Sequence, residues 1–106
     1  MIGKQISAEA LHNFLEEGLD EGILVDVRTP EEFAKGGIVG AINIPVDQIM
    51  GKLEMLRPYK KIYLYCLSGG RSQLASAQLG ASDIKGELVN LESGILGWRK
   101  QGYTLK

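Results

Sequence analysis

The sequence predicts an α/β domain: a mostly parallel sheet with helices on both faces. Three observations predict it. Ile23-Leu24-Val25-Asp26-Val27 and Ile62-Tyr63-Leu64-Tyr65 are near-continuous apolar runs, as in strands buried on both faces, where half-buried strands would alternate. Short helical patterns separate the strand patterns, as expected when parallel strands are joined through helices. Finally, 106 residues with 44% hydrophobic and 24% charged side chains suit one compact domain, over 1–106, with a core of its own.

The elements follow in chain order. Ser7 is a candidate N-cap for a first helix over Ala8–Glu17, with Ala10, Leu11, Phe14 and Leu15 at helical spacing and Gly18 as the stop. The Ile23–Val27 strand comes next. Thr29-Pro30-Glu31-Glu32 then reads as a cap, a proline at the first helical position and a glutamate able to close a capping box. Gly36-Gly37 keeps that helix short. Ala41–Ile44 reads as a short strand ended by Pro45, followed by a helix over Val46–Leu53. After the Ile62–Tyr65 strand, a helix starts at Arg71 or Ser72 and runs to Leu79. Glu87–Leu91 reads as the last strand and Ile95–Gln101 as the closing helix.

The formal net charge of -1 gives no support for a general nucleic-acid or membrane-surface binder. No apolar run is long enough to span a bilayer, and Met1–Gln5 lacks the apolar centre of a signal peptide. The single cysteine forms no internal disulfide, and with one histidine it makes a zinc site implausible. A cytoplasmic location is the resulting expectation, with no cofactor and no metal.

That cysteine is where the chemistry concentrates. In sheets of this kind ligands sit beyond the carboxyl ends of the strands. Cys66 follows directly on the Ile62–Tyr65 run and leads into Leu67-Ser68-Gly69-Gly70-Arg71. Glycines permit positive φ and close backbone approach, and a tight turn can aim successive N–H groups inward as an anion nest. The following helix adds free N–H groups and the positive end of its dipole, and Arg71 adds a permanent charge. Such surroundings lower a thiol from about 8.5 to roughly 3.5–7.5. The alternative, a buried cysteine acting as a small hydrophobe, fits this context less well.

These segments resemble the rhodanese domain, and the resemblance covers nearly the whole chain. "ILVDVRTPEEFAKGGIVGAINIP" (23–45) is similar to its N-terminal motif, "IYLYCLSGGRS" (62–72) to its active-site segment, and "NLESGILGWRKQGY" (90–103) to its closing motif. The resemblance implies a three-layer sandwich on a five-stranded sheet and a sulfurtransferase. Cys66 would attack the outer sulfur of a donor such as thiosulfate, become a persulfide and pass the sulfur to cyanide or a thiol. The N–H groups of Leu67, Ser68, Gly69, Gly70 and Arg71 would cradle that persulfide. Small sulfur-containing anions and protein thiols or persulfides are the expected partners. Two departures stand out: Gly36-Gly37-Ile38 replaces a common Gly-His-Ile, and Ser93 precedes Gly94 where a second glycine is common.

Other residues carry two readings each. Asp26 and Arg28 are expected to form an ion pair bracing the strand end, with a supporting role at the site as the alternative. Ser68 donates to a bound oxyanion or shapes the turn. Ser72 is expected to be a cap or first-turn residue, and is retained as a candidate supporting group. The Arg71 guanidinium is expected to bind an anion, the alternative being an outward pair with a carboxylate. Trp98, Tyr63 and Tyr65 are expected in the core. Three other functions compete. A persulfide carrier between proteins would use the same loop, and a binding module would not need Cys66. A cysteine phosphatase or arsenate reductase would need a larger ring: phosphatases of related fold have five residues between cysteine and arginine, and only four separate Cys66 from Arg71 here.

Overall fold

The computed structural model describes residues 4–106. Met1–Gly3, part of the stretch read as lacking a signal core, lie outside the described residues. The chain forms β1 (Lys4–Ile6), α1 (Ala8–Glu17), β2 (Gly22–Asp26), α2 (Pro30–Ala34) and β3 (Ile42–Asn43). A 3-10 helix over Val46–Lys52 runs into α3 (Leu53–Leu56), followed by β4 (Lys61–Tyr65), α4 (Gly70–Gly80), β5 (Glu87–Leu91) and α5 (Gly94–Lys100). The five strands lie in the order β1-β5-β4-β2-β3. Every pairing between them is parallel.

Local chemistry explains the elements. The Ser7 side chain accepts from the Ala10 N–H and opens α1, and Gly18 closes it at φ +93°. Thr29 and Glu32 form a reciprocal capping box at the start of α2, with Pro30 at the first position. The stretch expected as one helix from Val46 to Leu53 is instead 3-10 until Lys52. Two features lay outside the sequence reading. β1 is one, a short edge strand paired to β5. The other is α4 starting at Gly70, a residue earlier than expected.

Alternation along the strands divides the core into two layers. Leu24, Tyr63, Tyr65, Val89 and Leu91 face Leu11 of α1 and Ile95 and Trp98 of α5. Ile23, Val25, Ile62 and Leu64 face Ile49, Leu56 and, on α4, Ala75 and Leu79. Cys66 extends the second series one step past the end of β4. The three-layer sandwich thus sets the sulfur on the α4 face, at the carboxyl end of a central strand.

Candidate active site

Cys66 is buried, with about 1% of its surface exposed. Gly69 sits at φ +113°, where a β-carbon would lie 2.7 Å from the Glu92 carbonyl oxygen, so only glycine fits the turn. That turn aims the Gly69 N–H at the Cys66 Sγ, 3.1 Å away. The Ser72 Oγ lies 3.6 Å from the sulfur and donates to the Gly69 carbonyl at 3.1 Å. Burial pushes the thiol up. The Ser72 hydroxyl and the N–H groups of Ser72, Gly69 and Ser68 outweigh it, and the thiol titrates below its ordinary value. Of the amides expected in the cradle, Ser68 and Gly69 act on the sulfur, joined by Ser72. Gly70, the second glycine, has ordinary helical φ and open space around it. Leu67 turns its side chain outward.

α5 holds the loop from the other side. The Ile95 N–H donates to the Cys66 carbonyl at 2.9 Å and the Leu96 N–H to the Leu67 carbonyl at 3.1 Å. This close approach requires Gly94, at φ +63°, whose β-carbon would run into the Leu67 carbonyl and lie 2.8 Å from the Cys66 oxygen. Ser93, in the place of the common second glycine, has φ -90°, which any residue adopts.

The neighbouring charges are paired. Asp26 and Arg28 form a buried ion pair at 2.6 Å, and Arg28 also donates to the Gly36 carbonyl at 2.8 Å. The Arg28 N–H donates to the same aspartate at 2.9 Å, and the Asn43 amide ties the Asp26 and Arg28 carbonyls together. The Arg71 guanidinium, expected to serve an anion, is engaged by Glu32 of α2 through two bonds of 2.6 and 3.0 Å. Arg71 holds the Glu32 carboxyl down at about 2 against an opposing push from burial, with the Thr29 N–H and hydroxyl adding to the lowering. The Arg71 guanidinium is close enough to Cys66 to be stabilised by its charge. Nothing in the spacing of residues 39 apart signalled the Glu32–Arg71 contact. Likewise unforeseen was the Tyr65 hydroxyl accepting from the Ile38 N–H at 2.9 Å. The lone histidine, His12, stacks on Tyr103 in the layer across the sheet.

Residues 7–101 match the family model of the rhodanese-like domain. The chain belongs to the rhodanese-like domain family. A sulfurtransferase of Allochromatium vinosum is 34% identical over 101 residues, which are 95% of this chain and 92% of that protein. YrkF of Bacillus subtilis, provisionally named a sulfur carrier, is 30% identical over 89% of this chain, which spans half of that protein. The crystal structure of a rhodanese-related protein from Thermoplasma volcanium superposes with a TM-score of 0.82 at 30% identity, covering 97% of both chains. The five-stranded sandwich is therefore the rhodanese fold. Where many rhodanese domains read Gly-His-Ile, this one packs the Phe33 ring over Gly37: a β-carbon there would lie 2.7 Å from a ring carbon.

Proposed function

We propose that this rhodanese domain is a sulfurtransferase that works through a persulfide on Cys66. The observation carrying this reading is the Gly69 N–H on the sulfur, in a setting that lowers the thiol despite its burial. A thiol that ionises more readily than an ordinary cysteine relies less on a general base. In the first half-reaction the thiolate attacks the outer sulfur of the donor. With thiosulfate, the Cys66 S–S bond forms as the donor's S–S bond breaks, and sulfite leaves with the electron pair. In the second, an acceptor thiolate or cyanide attacks the outer sulfur of the persulfide and the Cys66 thiolate is restored. The N–H groups of Leu67, Ser68, Gly69, Gly70 and Arg71 hold the charge that remains on the transferred sulfur.

A second reading has a specific observation behind it. The match to YrkF favours a role as a carrier that receives sulfur from one protein and delivers it to another. The chemistry at Cys66 is the same in both. Phosphate transfer is disfavoured by the four-residue spacing between Cys66 and Arg71. A cytoplasmic setting, which keeps thiols reduced, suits the reaction, and no described helix is long and apolar enough to cross a membrane. Cys66→Ser is expected to abolish sulfur transfer to cyanide or a thiol while leaving the circular dichroism spectrum unchanged. Wild-type turnover in that variant would remove the assignment.

A further inference from the structure

Across the sheet from Cys66, a cavity of about 420 Å³ opens beside α1 and α5. His12, Leu15 and Glu16 of α1, Val39 of the loop before β3, Trp98 of α5 and Thr104 line it. That volume falls within the range of small-molecule sites, roughly 300–1,000 Å³. Its walls are held in place by the fold. The His12 ring stacks on Tyr103 with 4.0 Å between centroids. The Trp98 Nε1–H donates to the Thr104 carbonyl at 3.1 Å, so the indole offers the cavity apolar surface. Leu105 bridges to Ile38, and the Lys106 N–H donates to the Gly37 carbonyl at 2.9 Å, which fixes the segment carrying Thr104 beside the Val39 loop. The charge in the lining is negative. Among the described residues no lysine or arginine lines the cavity, and Glu16 is exposed with no ion-pair partner. α1 carries three glutamates, Glu9, Glu16 and Glu17, and no lysine or arginine, and its last turn holds no basic residue. There the carbonyl end of the helix adds its own negative potential, which a cation would offset.

We infer that this cavity binds a small organic cation, an ammonium group on a compact apolar body. The ammonium lies against the Glu16 carboxylate, and the body lies against Leu15, Val39 and Trp98. Two features carry the inference together. The apolar walls select a carbon skeleton, and the carboxylate at the carbonyl end of α1 selects a positive charge. A neutral ligand of the same shape leaves that carboxylate without a partner, and an anion meets it as a like charge. The cavity shares no lining residue with the Cys66 loop, so the inference stands apart from the persulfide reading.

The test uses the full chain and three probes of similar shape: phenethylamine, phenethyl alcohol and phenylacetate. Trp98 is the only tryptophan in the sequence, so its fluorescence reports on the cavity. Phenethylamine should give a saturable change with a dissociation constant on the order of 1 mM, a modest demand on so small a molecule. Phenethyl alcohol should bind about three- to five-fold more weakly, the scale of one partly exposed ion pair, and phenylacetate more weakly still. Backbone amide NMR shifts on adding the amine should centre on Leu15, Gly40 and Thr104. Glu16→Gln keeps a good helix former in α1 and should bring the amine down to the affinity of the alcohol. Val39→Lys sets a competing ammonium at the wall and should abolish amine binding. Four results overturn the inference: no saturable change with the amine, equal binding of amine and alcohol, tighter binding of phenylacetate, or shifts centred elsewhere. Undiminished amine binding in Glu16→Gln overturns it as well. Should either variant fail to fold, the three probes and the NMR shifts on the wild type decide alone. None of these results bears on whether Cys66 carries sulfur, so this inference and the persulfide reading fail separately.

Discussion

At the scale of single residues, the sulfur depends on a few groups whose types were visible in the sequence but whose roles were not all assigned. Cys66 and the glycine turn were legible because a lone cysteine at a strand end, followed by two glycines, is an unusual arrangement. Of those glycines, Gly69 alone needs its positive φ. Ser72, expected as a cap or first-turn residue and kept as a candidate supporting group, lies in the first turn of α4, where its hydroxyl sits against the sulfur while bonding to the Gly69 carbonyl. When the thiol ionises, that hydroxyl can turn its proton toward the thiolate. The reacting form is therefore present above a depressed pKa and lost as pH falls through it. Ser72→Ala removes a group that lowers this pKa, so the acidic limb of the rate profile should move to higher pH. The displacement reflects the loss of one hydrogen bond to the thiolate. Ser72→Thr, which keeps the hydroxyl, should restore the limb. A profile that does not move in Ser72→Ala would show that the hydroxyl plays no part in holding the thiolate.

At the scale of elements, the site is a junction of three connections: the end of β4, the start of α4 and the start of α5. The first two were readable from a buried apolar run and its glycine stop. The third was not, because Ile95 and Leu96 act through backbone N–H groups, which carry no residue signature. Gly94 is the sequence trace of that contact. Gly94→Ala should lower stability by about 1–3 kcal/mol, combining a positive-φ penalty with a clash against the loop, and should slow sulfur loading. Gly102, at φ +77° with nothing within 4 Å of where a β-carbon would lie, supplies the control. Gly102→Ala should carry only the backbone penalty, about 1 kcal/mol, with loading unaffected. Equal effects of the two substitutions in chemical denaturation and in loading would show that α5 does not support the loop. The Glu32–Arg71 contact belongs to this scale as well. The capping box of α2 was legible from four consecutive residues, but its glutamate also reaches a helix 39 residues away, which only the packing of α2 beside α4 brings about.

At the scale of the whole molecule, alternating strands and helices were enough to indicate a parallel sheet, since buried strands need cover on both faces. β1 escaped because three residues with two exposed side chains present no apolar pattern, and its pairing to β5 is made by the backbone. The fold explains why one face carries the chemistry. Side-chain alternation sends Tyr63 and Tyr65 into the α1–α5 layer and Ile62, Leu64 and Cys66 into the α4 layer. The sulfur therefore lands beneath the amino end of α4, where free N–H groups and the helix dipole converge. The central claim is that this placement makes Cys66 an acceptor and donor of sulfane sulfur. Its most direct test is the intact mass of the protein after incubation with thiosulfate and, separately, with an alkyl persulfide. The account predicts a gain of one sulfur atom that maps to Cys66, disappears on adding a thiol acceptor, and is absent from Cys66→Ser. No gain from either donor, or a gain that survives in Cys66→Ser, would contradict it.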